Sequence, residues 1–187
     1  MAALRGWLLL FIVLAILVGG VVAVRKLSET EAARLAKLRP EVRDAVQRIR
    51  AELAREGIET FVGSTRRDEV EQAAKVAAGL SDTKSSWHLL GRGIELYVGT
   101  PDGKNKDGTP KIVADVKGKN IAGYRRMHEV AKRHGGRGIP NGQPFDAKGN
   151  PAHITTSSGK VWDVAHLEFS GGLTFAQAQA ADTRKVA

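Results

Sequence analysis

The stretch SSWHLLGRGIEL, residues 85–96, places His88 and Glu95 seven positions apart with two glycines between them. Seven residues span about 10.5 Å in a helix and about 23 Å in an extended strand, so neither element lets the two side chains share a metal ion. They can meet only if the chain reverses at Gly91–Gly93, where glycine accepts positive φ without steric cost. The alternating run at 94–99 then predicts a strand that carries Glu95 back beside His88. An ordinary turn followed by a surface glutamate is the alternative.

A second pair of candidate residues lies in WDVAHLEF, residues 162–169. Asp163 and His166 are three positions apart, so a tight or helical turn places them on the same side. A carboxylate beside a metal-bound histidine can handle the proton of a water. The alternative is a capping aspartate and a buried histidine. Taken with His88 and Glu95, the pair predicts a three-ligand zinc site whose fourth position is open to water.

These segments resemble a known family of enzymes. SSWHLLGRGIEL resembles the Ser-x-His-x-x-Gly-x-Ala-x-Asp motif of the zinc D-alanyl-D-alanine carboxypeptidase and phage L-alanyl-D-glutamate peptidase family. WDVAHLEF is similar to the second motif of that family, a tryptophan, an acid, two residues and then His-x-Glu. TRRDEVEQ, residues 65–72, is similar to its Arg-Ser/Thr-x-x-Glu-Gln segment, and the resemblance extends over about residues 32–182.

The resemblance implies a zinc ion and a role for the motif residues. The implied zinc ligands are His88, Glu95 and His166. Asp163 is the implied base, which takes a proton from water and returns it to the leaving amine. This chain has Glu95 where the family has aspartate, which lengthens the ligand by one methylene, and Gly93 where the family has alanine.

The resemblance also implies residues that contact the substrate. Arg67 is expected to face the scissile carbonyl and stabilise the developing oxyanion. Arg66 takes that role if the alignment shifts by one residue. Ser86 and Trp162 are expected to orient or line the substrate site, and packing is the alternative role for the tryptophan.

The rest of the chain predicts an α+β fold, a small antiparallel sheet flanked by helices, and the resemblance implies the hedgehog/D,D-peptidase type. Glycine- and proline-rich segments predict a hairpin connection at 100–111 and a long surface loop at 135–160. An apolar stripe ended by Gly57 predicts a core helix. Its members are Val42, Val46, Ile49 and Leu53.

The N-terminal segment predicts a membrane anchor. Residues 7–24 form an uncharged apolar run, which as a helix would be roughly 27 Å long, close to the thickness of a bilayer core. We therefore expect an anchor or uncleaved signal at 1–27 and a zinc peptidase domain at 28–187; a cleaved signal peptide and a buried helix are the alternatives. A wall substrate requires the domain to face the periplasm from the inner membrane. Basic residues after the apolar run favour the opposite orientation, with the domain in the cytoplasm.

Composition limits the partners. The formal charge is +9, the pI is about 10.0, and there is no cysteine, which excludes disulfides and thiolate metal sites. The positive charge favours anionic partners, and the wall polymer peptidoglycan fits the resemblance. Basic residues are not interleaved with aromatics, so no nucleic acid is expected as a partner.

The resemblance implies cleavage of the L-alanyl-D-glutamate bond, as in phage endolysins. The alternatives are a D,D-carboxypeptidase and a non-catalytic wall-binding or virion module.

Overall fold

The computed structural model describes residues 30–79, 81, 83–139, 144–150, 152, 154–156, 159–161 and 163–183. The predicted anchor at 1–27 lies outside these ranges. Within them, no helix combines the length and apolar character needed to cross a membrane.

Five helices and six strands follow one another along the described chain. The helices are α1 (Glu31–Ala36), α2 (Pro40–Arg55), α3 (Glu69–Ala77), α4 (Ile121–Arg133) and α5 (Phe175–Thr183). The strands are β1 (Thr60–Val62), β2 (Gly93–Lys104), β3 (Pro110–Ala114), β4 (Ile154–Thr156), β5 (Gly159–Val161) and β6 (His166–Glu168). The predicted α+β class, a small antiparallel sheet with flanking helices, is confirmed.

The long strand β2 organises the main sheet. Strands β1, β3 and β6 all pair with it in antiparallel orientation, and β4 and β5 form a separate two-stranded sheet. The chain reverses just before β2, at a turn where Gly91 has a φ of 63°. This is the reversal that the glycines predicted.

Helices α2 and α4 cover the apolar face of the sheet. The predicted stripe of α2 is confirmed as core, because each of its members is at most 1% exposed: Val42, Val46, Ile49 and Leu53. Tyr124 and Met127 of α4 are fully buried against the same cluster. Each such side chain contributes about 1.5–3 kcal/mol by leaving water.

Two predicted connections are shorter than expected. Strand β2 continues through Lys104, and its pairing with β3 shifts register between Pro101 and Lys104. The segment predicted as one loop at 135–160 contains β4 and most of β5, and Arg137 forms a backbone bridge to Glu168. Backbone pairing therefore uses residues whose polar and glycine-rich composition favours a loop.

Candidate active site

Cross-strand pairing places two of the predicted residues on one face of the sheet. Glu95 of β2 is directly opposite His166 of β6, so their side chains project from the same face. Gly93 and Tyr97 belong to that face because alternate residues of a strand share it. The intervening residues of β2 are fully buried in the core: Ile94, Leu96 and Val98. The polar face of β2 is therefore the floor of the candidate site.

His88 lies in the turn that precedes β2 and is fully buried. Its Nδ1 contacts the carbonyl oxygen of Thr65. A carbonyl only accepts a hydrogen bond, so Nδ1 carries the proton and Nε2 presents its lone pair. Nε2 is buried and has no hydrogen-bond partner in the described part of the chain. Metal-binding histidines show this arrangement, with one ring nitrogen fixed by a carbonyl and the other free to coordinate.

The charge state of His88 suits the same role. Burial, followed by the charges of His166 and Arg67, holds the pKa of His88 well below its usual value. The imidazole is therefore neutral at physiological pH, as a metal ligand must be.

Gly93 allows the His88 ring to lie directly on the strand. A Cβ atom at this position would be 2.9 Å from the backbone nitrogen of His88 and 3.0 Å from its Cδ2. Real Cβ atoms do not approach other atoms so closely, so any side chain here would displace the imidazole. The glycine found where the resembled family has alanine thus permits a closer approach of ring and strand.

His166 lies beside His88 at the start of β6. The two ring centroids are 5.0 Å apart, with 76° between the ring planes. Nδ1 of His166 lies 3.5 Å from Oδ2 of Asp163, and its Nε2 lies 3.7 Å from Oε1 of Glu168. Burial lowers the pKa of His166, but these two carboxylates outweigh it and raise the pKa to about 9. Asp163 and His166 thus meet across a tight turn, as their spacing predicted.

Glu95 faces Arg67. Nη2 of Arg67 donates to Oε1 of Glu95 at 2.7 Å, and the hydroxyl of Tyr97 donates to Oε2 at 3.1 Å. The guanidinium also donates to Oγ of Ser64 at 3.0 Å and to Oε1 of Gln72 at 3.3 Å. Arg67 is only 8% exposed, so protein groups fix its orientation.

The residues fit a zinc ion in part. His88 presents a buried, neutral imidazole whose Nε2 lacks a hydrogen-bond partner among the described residues, and a nitrogen donor of this kind suits zinc. Nε2 of His166 also lacks a hydrogen bond there, but it lies 3.7 Å from Glu168, and with a pKa of about 9 this histidine must lose a proton before it can bind a metal. The carboxylate of Glu95 is directed to Arg67 and Tyr97. Across the described ranges, no three histidine or carboxylate groups converge closely enough to hold a metal ion. The structure therefore brings the two histidines together. Glu95 lies on the same face, but its carboxylate is bound by Arg67 and Tyr97.

The remaining predicted site residues differ in their placement. Ser86 is buried, and its Oγ accepts a hydrogen bond from the backbone nitrogen of His88 at 3.4 Å, which ties it to the turn. Arg66 is exposed and lines a cavity next to Glu95. Trp162 lies outside the described residues.

Several residues of the site were not predicted from the sequence. Tyr97 is two positions beyond Glu95 on an alternating strand, and that periodicity could have placed it on the same face. Arg137 binds the carboxylate of Glu168 through Nε at 3.1 Å and Nη2 at 3.0 Å. Lys75 lies 3.9 Å from Glu95. No local pattern marks Arg137 or Lys75, because tertiary folding alone brings them to the site.

Comparison with known proteins gives structural similarity only. No family model matches the sequence, and no curated protein matches it. The L-Ala D-Glu endopeptidase ChiX of Serratia marcescens is 16% identical, with a TM-score of 0.44 over 77% of this chain and 86% of its own. The LD-carboxypeptidase LdcB is 16% identical, with a TM-score of 0.42 over 78% of this chain and 64% of its own.

Proposed function

We propose that this chain is a zinc metallopeptidase that hydrolyses peptidoglycan stem peptides at the L-alanyl-D-glutamate bond. The observation that carries the proposal is the histidine pair. His88 and His166 lie side by side, and neither buried Nε2 has a hydrogen-bond partner among the described residues; that of His166 lies 3.7 Å from Oε1 of Glu168. A buried polar atom without a partner is costly unless a ligand completes it. The two sequence motifs that resemble the peptidase family contain these same two histidines.

The proposed ligands for Zn²⁺ are His88, His166 and Glu95. Zinc bound there would supply Lewis-acid polarisation of the scissile carbonyl and would lower the pKa of water. Glu95 is on the same face as His166, and it would join the histidines by turning its carboxylate away from Arg67.

Asp163 is the proposed general base. Its carboxylate is beside His166, and its side chain remains 31% exposed, so water and substrate can reach it. It would accept a proton from the attacking water and deliver that proton to the amine that leaves.

Arg67 is the proposed group that stabilises the oxyanion. Hydrogen bonds to Ser64 and Gln72 hold its guanidinium in place beside Glu95. A fixed charge of this kind favours negative charge on the carbonyl oxygen without reorganisation during the reaction.

A specific observation favours a second candidate, a non-catalytic module that binds the cell wall. Glu95 already has two partners, Arg67 and Tyr97, and together they satisfy both of its carboxylate oxygens. A chain that keeps this pairing permanently would lack the third zinc ligand and could still use its positive charge to bind an anionic wall.

We further propose that the domain from residue 28 onward faces the periplasm, held at the inner membrane by the segment at 1–27. The apolar run at 7–24 and the wall substrate support this arrangement. A reporter that is active only in the periplasm, fused after Ala187, tests it. An inactive reporter would indicate that the domain lies in the cytoplasm and would contradict this topology.

Digestion of purified peptidoglycan tests the function. Wild-type protein should release peptides whose new amino terminus is the D-glutamyl residue, because the cut lies between alanine and glutamate. Asp163→Asn should lose at least a hundredfold in rate, since general acid–base catalysis contributes about 10²–10⁴. His134→Asn is a matched control, because this partly exposed histidine pairs with Glu52 of α2 and neither residue belongs to the proposed site.

The products separate the candidates. Release of free D-alanine alone would indicate a D,D-carboxypeptidase. Wall binding without any soluble product would leave the non-catalytic module and would exclude the peptidase.

A further inference from the structure

The β2–β3 hairpin and the turn that follows it carry a cluster of lysines. Residues 102–119, which we call the lysine hairpin, contain five of them: Lys104, Lys106, Lys111, Lys117 and Lys119. All five are exposed, and none forms an ion pair within the described part of the chain. Strand β2 extends roughly 35 Å from Gly93 to Lys104, so the lysine hairpin lies at the far end of β2 from the histidine pair.

The three aspartates of the lysine hairpin offset its positive charge only in part. Five lysines and three aspartates give the segment a formal charge of +2. Oδ1 of Asp107 accepts hydrogen bonds from the backbone nitrogen of Thr109 at 3.0 Å and from its hydroxyl at 2.7 Å. Asp115 is buried, and its Oδ2 accepts from the backbone nitrogen of Asn120 at 2.6 Å. Two of the three carboxylates are therefore bound to nearby backbone, while all the ammonium groups face solvent.

Exposed apolar side chains adjoin these lysines. Val116 is 69% exposed, and Ile121, the first residue of α4, is 37% exposed. They are two of the four large apolar side chains exposed in the described ranges, and they bracket Lys117 and Lys119 in the sequence. Exposed cations with apolar side chains beside them are typical of proteins that lie on a lipid bilayer. The cations meet anionic head groups there, and the apolar side chains enter the boundary of the acyl chains.

The turn between β3 and α4 is fixed by the folded core. The hydroxyl of Tyr124 donates to the carbonyl oxygen of Asp115 at 2.6 Å, and Nδ2 of Asn120 donates to the carbonyl oxygen of Gly99 at 2.8 Å. These bonds join the turn to α4 and to β2, so the backbone that carries Val116 is already ordered. Little conformational entropy is then lost when the turn binds a surface.

We propose that the lysine hairpin binds the surface of a bilayer that contains anionic phospholipids. Val116 and Ile121 favour a bilayer over a soluble polyanion such as duplex DNA, whose phosphate surface offers no apolar layer for these side chains to enter. Bound in this way, the far end of β2 would lie against the lipid, and the histidine pair would lie at a distance from it. The inference depends neither on the proposed peptidase activity nor on the segment at 1–27.

The experiment uses the full chain mixed with phospholipid vesicles. Its readout is local to the lysine hairpin, because the apolar run at 7–24 can by itself hold the chain on vesicles. The chain has no cysteine, so Val116→Cys gives a unique site for an environment-sensitive fluorescent label. Val70→Cys is the matched control, since this valine of α3 is 77% exposed and lies outside the lysine hairpin. Vesicles of phosphatidylcholine alone are compared with vesicles that also contain phosphatidylglycerol.

We expect anionic vesicles to raise the fluorescence of the label at position 116 by about twofold or more, because the label leaves water for the acyl boundary. Lipids that carry a spin label should quench it. The label at position 70 should respond to neither. Neutral vesicles, or about 0.5 M salt, should remove most of the increase, since the attraction is electrostatic and salt screens it.

Removal of charge tests the lysines themselves. The triple variant Lys106→Gln/Lys117→Gln/Lys119→Gln, carrying the label at position 116, should lose most of the increase. The matched control removes the same charge from exposed positions outside the lysine hairpin and should keep the increase: Lys84→Gln/Lys132→Gln/Lys148→Gln.

No response of the label at position 116 to anionic vesicles would overturn the membrane site. An equal response of the label at position 70, or an undiminished response in the hairpin triple variant, would also overturn it. A response to duplex DNA without lipid, together with none to anionic vesicles, would overturn it in favour of a polyanion as the partner.

Discussion

Two glycines let aromatic side chains of the site lie directly against the strand backbone. Gly93 accepts the His88 ring, and a Cβ atom at Gly63 would be 2.5 Å from Cε2 of Tyr97. The first glycine positions a proposed ligand, and the second positions the hydroxyl that binds Glu95. Single-residue changes at these contacts should therefore alter the geometry of the site while the overall fold is kept.

Gly93→Ala should displace His88 and weaken zinc binding by about tenfold or more, since groups that orient a metal ligand typically contribute 10–100-fold in affinity. Overpacking should also lower the free energy of unfolding by about 1–3 kcal/mol. Gly99→Ala is the matched control on the same strand, because its Cβ would lie 2.6 Å from Cγ2 of Ile112 and away from His88. Zinc affinity from competition with a chelator is the measurement, and equal affinities in both variants would contradict this role of Gly93.

Glu95→Gln should destabilise the metal-free protein because it leaves the Arg67 guanidinium buried without a counter-charge. Removing one partner of a buried ion pair costs about 3–5 kcal/mol, and the slight exposure of this pair reduces the expected loss to about 2–3 kcal/mol. Glu41→Gln is the control, since its pairs with Arg39 and Arg92 involve a carboxylate that is 56% exposed and should be worth less than about 1 kcal/mol. Urea unfolding of both variants measures the difference. Similar losses in the free energy of unfolding would show that the Arg67–Glu95 pair stabilises the protein no more than an exposed ion pair does.

At the scale of elements, α4 supports the turn that carries Asp163. His128 of α4 donates from Nε2 to the carbonyl oxygen of Val164 at 2.7 Å. Burial, opposed by this hydrogen bond and assisted by the charge of His166, lowers the pKa of His128 to about 4. The helix and the turn are thus joined through a histidine that stays neutral in the folded protein.

This depressed pKa makes stability depend on pH. An unfolded histidine titrates near pH 6.5, so between about pH 6.5 and 4 the unfolded chain binds a proton that folded His128 does not. The free energy of unfolding should therefore fall as the pH drops through this window, with His128 contributing at most roughly 3 kcal/mol.

His128→Gln tests this contribution, because glutamine can donate to Val164 but does not titrate. Unfolding free energies at pH 7 and pH 4 should differ less in the variant than in the wild type. Carboxylates titrate in both proteins, so their contribution cancels in the comparison. An identical pH dependence would show that His128 is not the group responsible.

Across the whole molecule, the parts that the sequence predicted are those encoded by local patterns. Alternation predicted β2, and helical spacing predicted the buried stripe of α2. Two glycines predicted the reversal between His88 and Glu95. The pairing of Glu95 with Arg67 was not predicted, because residues distant in sequence meet only after β1 and β2 pair.

The cluster of cations that lines the cavity next to Glu95 was not predicted for the same reason. Arg34, Arg66 and Lys75 come from separate segments and show no common motif. The formal charge of +9 indicated an anionic partner but gave no location for it. Similarly, the composition of residues 135–160 indicated a loop, and the β4–β5 pairing depends on hydrogen bonds between backbones that carry no side-chain pattern.

The central claim is that His88 and His166 hold a zinc ion that enables peptide hydrolysis. Titration of zinc into the metal-free protein, with release of stem peptides followed at each step, tests it most directly. We expect no hydrolysis without metal, full activity at about one zinc ion per chain, and no recovery in His88→Ala. Full activity of the metal-free protein, or the absence of hydrolysis at every zinc concentration, would contradict the claim.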